Sequence, residues 1–275
     1  MTEVYQHTFT PWTVDGDARV LADEKQWREP VEWNVESALG GYYAENARVH
    51  VTPDLFEDFD GPIVDTNRFA DESENLTLSD LRHRLFGLIG KTPNLDWMIE
   101  TQYPENVRRM WPATKGQEDG IASPLWKDER QRNNVMLGVR ITTQAEADTL
   151  IPRLLKLRDS ARMLYVVVDP REAIELWDYI TPKVCDCNYN GCECYPGESM
   201  IDFVILRGTA DQLHPEWIWN IRDQCSAGGV QLDGQEWQEA IAGTPSNSRL
   251  RELAANNPPP DEWFEGEEDK PWTKR

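Results

Sequence analysis

The chain has 275 residues, 39% of them hydrophobic, enough for two average domains or one large α/β barrel with a sizeable core. Its formal net charge of −21 argues against direct nucleic-acid binding, because phosphates would be repelled. No stretch approaches the roughly 18 consecutive apolar residues of a membrane-spanning helix, and MTEVYQHTFT lacks the basic start and apolar run of a secretory signal, so the expectation is a cytoplasmic protein.

From residue 48 onward, strand-like and helix-like patterns alternate. RVHVT (48–52) is rich in β-formers. LSDLRHRLFGLI (78–89) places Leu78, Leu81, Leu85, Leu88 and Ile89 on one helical face. LDWMIE (95–100) reads as a strand, and PENVRRMW (104–111) opens a helix with proline at its first position. Residues 112–133 read as an inserted loop. VMLGVRIT (135–142) is the next strand, and Thr143 with Glu146 forms a capping box that starts a helix through Leu157. LYVVVD (164–169) reads as a buried strand and REAIELWDYI as the helix after it. FVILRG (203–208) is a strand. Pro215 to Ala227 is a helix that stops at Gly228 and Gly229, with a short strand at Val230 to Leu232.

This repetition predicts parallel strands joined by right-handed crossovers, about six units in all. An open doubly wound sheet is the alternative to a partial barrel. Asn256 to Arg275 carries three successive prolines and many acids and reads as an acidic tail, extended or disordered. Trp263, Phe264 and Trp272 within it have no core to join, which makes the tail a candidate for docking a protein partner or for self-association.

Five cysteines are present. Cys185, Cys187, Cys192 and Cys194 crowd into ten residues, where four thiolates can close a tetrahedron around zinc. They follow a helix and precede a strand, which puts them on the N-terminal face of a parallel barrel, away from the face where active sites lie. The expectation is a structural zinc; no metal, disulfides and an iron–sulfur cluster are the other readings. Cys225 reads as a buried core thiol.

Residues just past the strand ends are the pocket candidates: Asp54, Glu100, Gln102, Arg140, Asp169, Arg207 and His214. Mixed acids and bases there can orient a polar ligand or support acid–base work. The four histidines are too scattered to suggest a histidine metal site. No Walker-type loop, dinucleotide fingerprint or GxSxG elbow is present.

Several phrases resemble one family. They are YQHTFTPW (5–12), DEKQWREPVEWN (23–34), NVMLGVRITTQAEADTLIPRLL (134–155), MLYVVVDPREAIEL (163–176), DFVILRGTA (202–210) and HPEWIWNIRDQCSAGGV (214–230). In this order they resemble the phage-encoded three-cysteine-motif proteins with a radical-SAM-like barrel. The resemblance implies a radical-SAM-like partial barrel, here spanning residues 41–240, within which the four clustered cysteines mark a Cys-rich insert at 181–199. It is preceded by an opening segment, 1–40, and followed by the tail, 241–275. It also implies an iron–sulfur cluster held by cysteines after Trp12. Here that stretch reads TVDGDARVLA, without a thiol. A family glycine–glycine–glutamate–serine turn is replaced by Arg207, Gly208, Thr209 and Ala210, and a lysine–arginine pair by Gln102 and Tyr103.

The reading is a pseudoenzyme: a phage or prophage protein that lost its cluster, has no use for S-adenosylmethionine, and serves binding or assembly in the host cytoplasm or the virion. Two rivals stand beside it. One is a radical-SAM enzyme that recruits Cys185 to Cys194 for its cluster. The other is a cluster-free hydrolase or transferase acting on a small polar or nucleotide-related substrate.

Overall fold

Seven strands make one parallel sheet in which position follows chain order, and this sets where a ligand can enter. The computed structural model describes residues 6–40, 46–65, 76–111, 134–180, 201–208 and 214–233. The strands are β1 (His7–Phe9), β4 (Ala47–Val51), β6 (Leu95–Glu100), β7 (Val135–Ile141), β8 (Met163–Val168), β9 (Phe203–Leu206) and β10 (Gln231–Asp233). Every adjacent pair is parallel, and the order is β1-β4-β6-β7-β8-β9-β10. Because each step moves the same way, right-handed crossovers stack their helices on one face. The other face becomes the concave interior of an open half-barrel. The expected partial (β/α) barrel is therefore the observed architecture, with one strand more than the six units predicted. The extra strand is β1, whose three residues are too short to show a period.

Between β1 and β4 lie β2 (Trp12–Asp15), β3 (Ala18–Leu21) and α1 (Glu24–Leu39). β2 and β3 pair antiparallel around the Gly16–Asp17 turn, and β5 (Ile63–Val64) joins β3 in parallel. This small sheet follows the end of β1.

The helices form where side chains satisfy their first amides. Thr77 and Asp80 close a capping box at the start of α2 (Leu78–Lys91), whose Leu78, Leu81, Leu85, Leu88 and Ile89 are buried as their spacing predicts. Past β6, a 3-10 turn at Pro104–Asn106 leads into α3 (Val107–Met110). Thr143 caps α4 (Gln144–Leu155), but Glu146 reaches the amide and hydroxyl of Thr142 rather than closing a box on Thr143. The helix expected across 171–180 shrinks to α5 (Trp177–Ile180). Upstream of it, the Glu175 amide donates to Gln144 Oε1 at 2.7 Å and the Leu176 amide to Gln224 Oε1 at 2.6 Å. Side chains of the neighbouring helices thus take the donors a helix would use. The last helix among the described residues, α6 (Pro215–Gly228), ends at Gly229, which is left-handed at φ 71°.

Strand alternation sorts the core into two layers. Val49, Val51, Trp97, Ile99, Leu137, Val139, Leu164, Val166 and Val204 pack outward against the helices. Met98, Met136, Tyr165, Val167, Phe203 and Ile205 form a separate cluster on the alternate positions of β6 to β9, which face the barrel interior. Gly138 makes room there: a Cβ would meet the Tyr165 ring at 2.3 Å.

Candidate functional site

The C-terminal ends of β4, β6 and β7 surround a cavity of 160 Å³ lined by His50, Val51, Thr52, Pro53, Asp54, Glu100, Thr101, Gln102 and Arg140. This is the face of a parallel barrel where ligands bind. Four of the seven sequence candidates meet here: Asp54, Glu100, Gln102 and Arg140.

A chain of polar contacts ties the three strand ends together. Asp54 Oδ1 accepts from the Phe56 amide at 2.9 Å, and Oδ2 accepts from the Gln102 amide at 2.7 Å and the Thr101 hydroxyl at 3.1 Å. Gln102 Nε2 donates to the Arg140 carbonyl at 3.0 Å. Arg140 Nε donates to Glu100 Oε1 at 2.8 Å. On the other side of Glu100, His50 Nε2 lies 3.7 Å from Oε2, longer than a hydrogen bond. The end of β1 joins through the Thr10 and Thr52 hydroxyls, 3.0 Å apart.

The loop after β4 is anchored from below. Leu55 and Phe56 are buried. Arg82 donates to the Leu55 and Glu57 carbonyls at 2.6 and 2.9 Å, and Asn106 Nδ2 to the Phe56 carbonyl at 3.0 Å. Arg19 grips Glu57 in a two-pronged ion pair at 2.8 and 2.7 Å, which fastens the β2–β3 hairpin to the same loop. The cavity wall is thereby held before any ligand arrives.

The two carboxyls differ in kind. Burial pushes the Asp54 carboxyl above its ordinary range, and its three hydrogen bonds only partly offset this. Burial also acts on Glu100, but contacts from His50 and Arg140 outweigh it and hold the carboxyl below its ordinary value. One acid is eased toward its neutral form and the other toward its charged form, within one cavity.

The remaining candidates lie elsewhere. Asp169 and Arg207 end β8 and β9 on the same rim, where their amides donate to the Ile141 and Val168 carbonyls. His214 precedes α6, 3.9 Å from Glu216 Oε2 and tilted against Trp217. None of the three lines the cavity. The sequence reading missed His50 as a site residue. Its signal is the alternation of β4, in which Arg48, His50 and Thr52 share one face and Val49 and Val51 the other.

The expected structural zinc is corrected. Among the described residues, no group of three or more His, Cys, Asp or Glu side chains is placed to hold a metal ion. Cys185, Cys187, Cys192 and Cys194 lie outside the described residues. The buried carboxylates of the described part are engaged singly, Glu100 by Arg140, Asp96 by Arg162 and Asn46, and Asp54 by amides. Cys225, the cysteine that is described, is free and buried, and burial pushes its thiol up to about 12.

The segment that would hold an iron–sulfur cluster does not fit one. TVDGDARVLA forms the β2–β3 hairpin, and the donors it offers are the carboxylates of Asp15 and Asp17. These are hard ligands, poorly matched to a cluster that takes thiolates.

Fold and cavity together define a parallel (β/α) half-barrel with a polar pocket at its C-terminal mouth. The chain belongs to the family described as "Protein of unknown function (DUF5131)", whose model matches residues 2–253. No curated protein and no solved structure matches it. No helix among the described residues is long and apolar enough to cross a membrane.

Proposed function

We propose that this protein is a cluster-less relative of the radical-SAM-like phage family whose barrel mouth binds a small polar molecule. The observation that carries the reading is the His50–Glu100–Arg140 arrangement at the ends of three adjacent strands, braced by Asp54 and walling one cavity. Charged groups fixed in partial burial are costly to maintain for fold alone and mark sites that meet ligands. The role is binding or assembly in a phage or prophage setting, within the host cytoplasm or on the virion. Docking of a protein partner or a second copy through the Trp263, Phe264 and Trp272 tail belongs to this reading, and those residues lie outside the described ones.

A second reading draws on Asp54. A carboxyl raised by burial beside a cavity is suited to proton transfer, which favours a cluster-free enzyme over one using radical chemistry.

Anaerobic reconstitution with iron and sulfide, followed by reductant and S-adenosylmethionine, separates these from a radical enzyme. The expected result is no 5′-deoxyadenosine above a protein-free control. Its formation, lost on replacing Cys185 or Cys194, overturns the cluster-less reading. Retention of a small molecule by native mass spectrometry, weakened by Arg140→Gln, supports binding at the mouth.

A further inference from the structure

A second cavity lies among the helices, and its charge is opposite to that of the chain. It measures 660 Å³ and is lined by Pro104, Glu105, Arg108, Arg153, Lys156 and Leu157, inside the usual range of roughly 300–1,000 Å³ for ligand pockets. Three cations stand against one carboxylate here, in a protein of net charge −21. The turn at Pro104–Asn106 and α3 form one wall, and the end of α4 with the two residues after it forms the other.

The cations can take a ligand. Lys156 is exposed and has no ion-pair partner among the described residues. Arg108 contacts the Lys156 carbonyl and Asp159 through Nη2, and Arg153 contacts Glu105 through Nη1, which leaves further donors on each guanidinium. The side chains of both pairs are about half exposed or more, and ion pairs so exposed contribute little. Pro104 and Leu157 are buried and supply an apolar floor. The ligand suited to this groove carries several carboxylates beside an apolar or aromatic group, on which a guanidinium can also stack.

The chain itself holds such a segment. Asp261–Asp269 reads DEWFEGEED, six carboxylates and two aromatic rings in nine residues. It begins 28 positions past Asp233, the end of β10. A chain of that length spans at most roughly 95 Å, against a radius of gyration of roughly 17 Å for a compact domain of this size, so the groove is within reach. Tethering sets the segment's effective concentration on the order of millimolar. A free anion has no such help: each contact to an exposed cation is weak, and the net negative charge of the chain repels it.

We propose that segment 261–269 docks on its own chain in this groove, with Trp263 and Phe264 against Pro104 and Leu157 and its carboxylates on Lys156, Arg108 and Arg153. This goes beyond the reading of the barrel mouth. A partner that engages the tail has to displace it from the groove.

Carbodiimide cross-linking of the full chain, which joins a lysine amine directly to a carboxylate touching it, tests this. An equal mixture of isotope-labelled and unlabelled chains tells links within one chain from links between two. Lys156 is expected to link to 261–269 within one chain several-fold more often than the exposed Lys25 and Lys91. Raising the ionic strength from about 0.1 to about 1 M, which shortens the screening length from about 10 to about 3 Å, should lower that yield several-fold. Trp263→Ser combined with Phe264→Ser should do the same while leaving every carboxylate in place, with circular dichroism to confirm that the variant is folded. Equal yields at the three lysines, a yield indifferent to salt and to the double variant, or no link to the tail overturns the docking. Links found only between labelled and unlabelled chains overturn it in favour of self-association through the tail. The ligand-binding reading of the mouth stands or falls separately, on retention of its own ligand.

Discussion

Arg48 on β4 and Asp233 on β10 are 185 residues apart, and Nη1 of one lies 2.7 Å from Oδ2 of the other. Five inter-strand steps separate these strands in the sheet. At about 4.8 Å per step, a flat sheet would hold them roughly 24 Å apart. The contact therefore records the curl that turns the sheet into a half-barrel. Arg48 also lies 5.7 Å from the Phe203 ring centroid, so it spans the interior to the last two strands.

Breaking this pair should loosen β10. The side chains are 24% and 18% exposed, between a surface ion pair and a buried one. Asp233→Asn is expected to cost about 1–3 kcal/mol, and the double variant with Arg48→Met to cost less than the two singles summed. A double-mutant cycle by urea unfolding measures the coupling; strict additivity would mean the pair does not hold the curl.

Gly138→Ala should destabilise the barrel interior. The added methyl would sit 2.3 Å from a ring carbon of Tyr165, which is itself stacked on Phe203 at 5.2 Å. Overpacking of this kind costs about 1–3 kcal/mol. A lowered melting temperature, partly restored by adding Tyr165→Leu, is the expected pattern; an unchanged melting temperature contradicts the packing.

The two cavity carboxyls predict opposite pH effects. The folded-state value of Glu100 is depressed, so its stabilisation is present above its ordinary value of 4.5 and is lost as pH falls through the folded value. Asp54 is raised from 3.8, so the folded state favours its proton, and that contribution grows as pH falls and fades as pH rises through the folded value. Glu100→Gln should flatten the acid-side loss of stability, and Asp54→Asn should steepen it. Urea midpoints followed from neutral to acidic pH show which slope moves and in which direction.

Cys225 should be inert in the folded protein. Its thiol is buried and pushed up to about 12, and the thiolate is the reactive form. Mass-spectrometric mapping after alkylation at mildly alkaline pH is expected to find it unmodified until denaturant is added. Labelling in the native state would show that α6 opens.

Much of the fold could be read along the chain. The apolar runs of β6, β7, β8 and β9 and the leucine spacing of α2 are local signals, and the structure places these elements within a residue or two of the expectation. The stretch 171–176 could not, because the Glu175 and Leu176 amides are claimed by Gln144 and Gln224 from helices distant in sequence, and the Arg171 amide by the Thr142 carbonyl. The β2–β3 hairpin was overlooked for a different reason. Its four-residue strands around Gly16 are too short to show an alternating pattern.

The sequence alone determined which residues stand at the strand ends, because strand period and crossover direction are local properties that place Asp54, Glu100, Gln102 and Arg140 on one face. Which of those ends meet was decided only in three dimensions. Adjacency of β4, β6 and β7 brings His50, Glu100 and Arg140 around one cavity, while Asp169, Arg207 and His214, read by the same rule, stand outside it. The difference is the strand order, which puts β8 and β9 farther from β4 along the sheet and rests on pairings between distant segments that have no signature in any local stretch of chain.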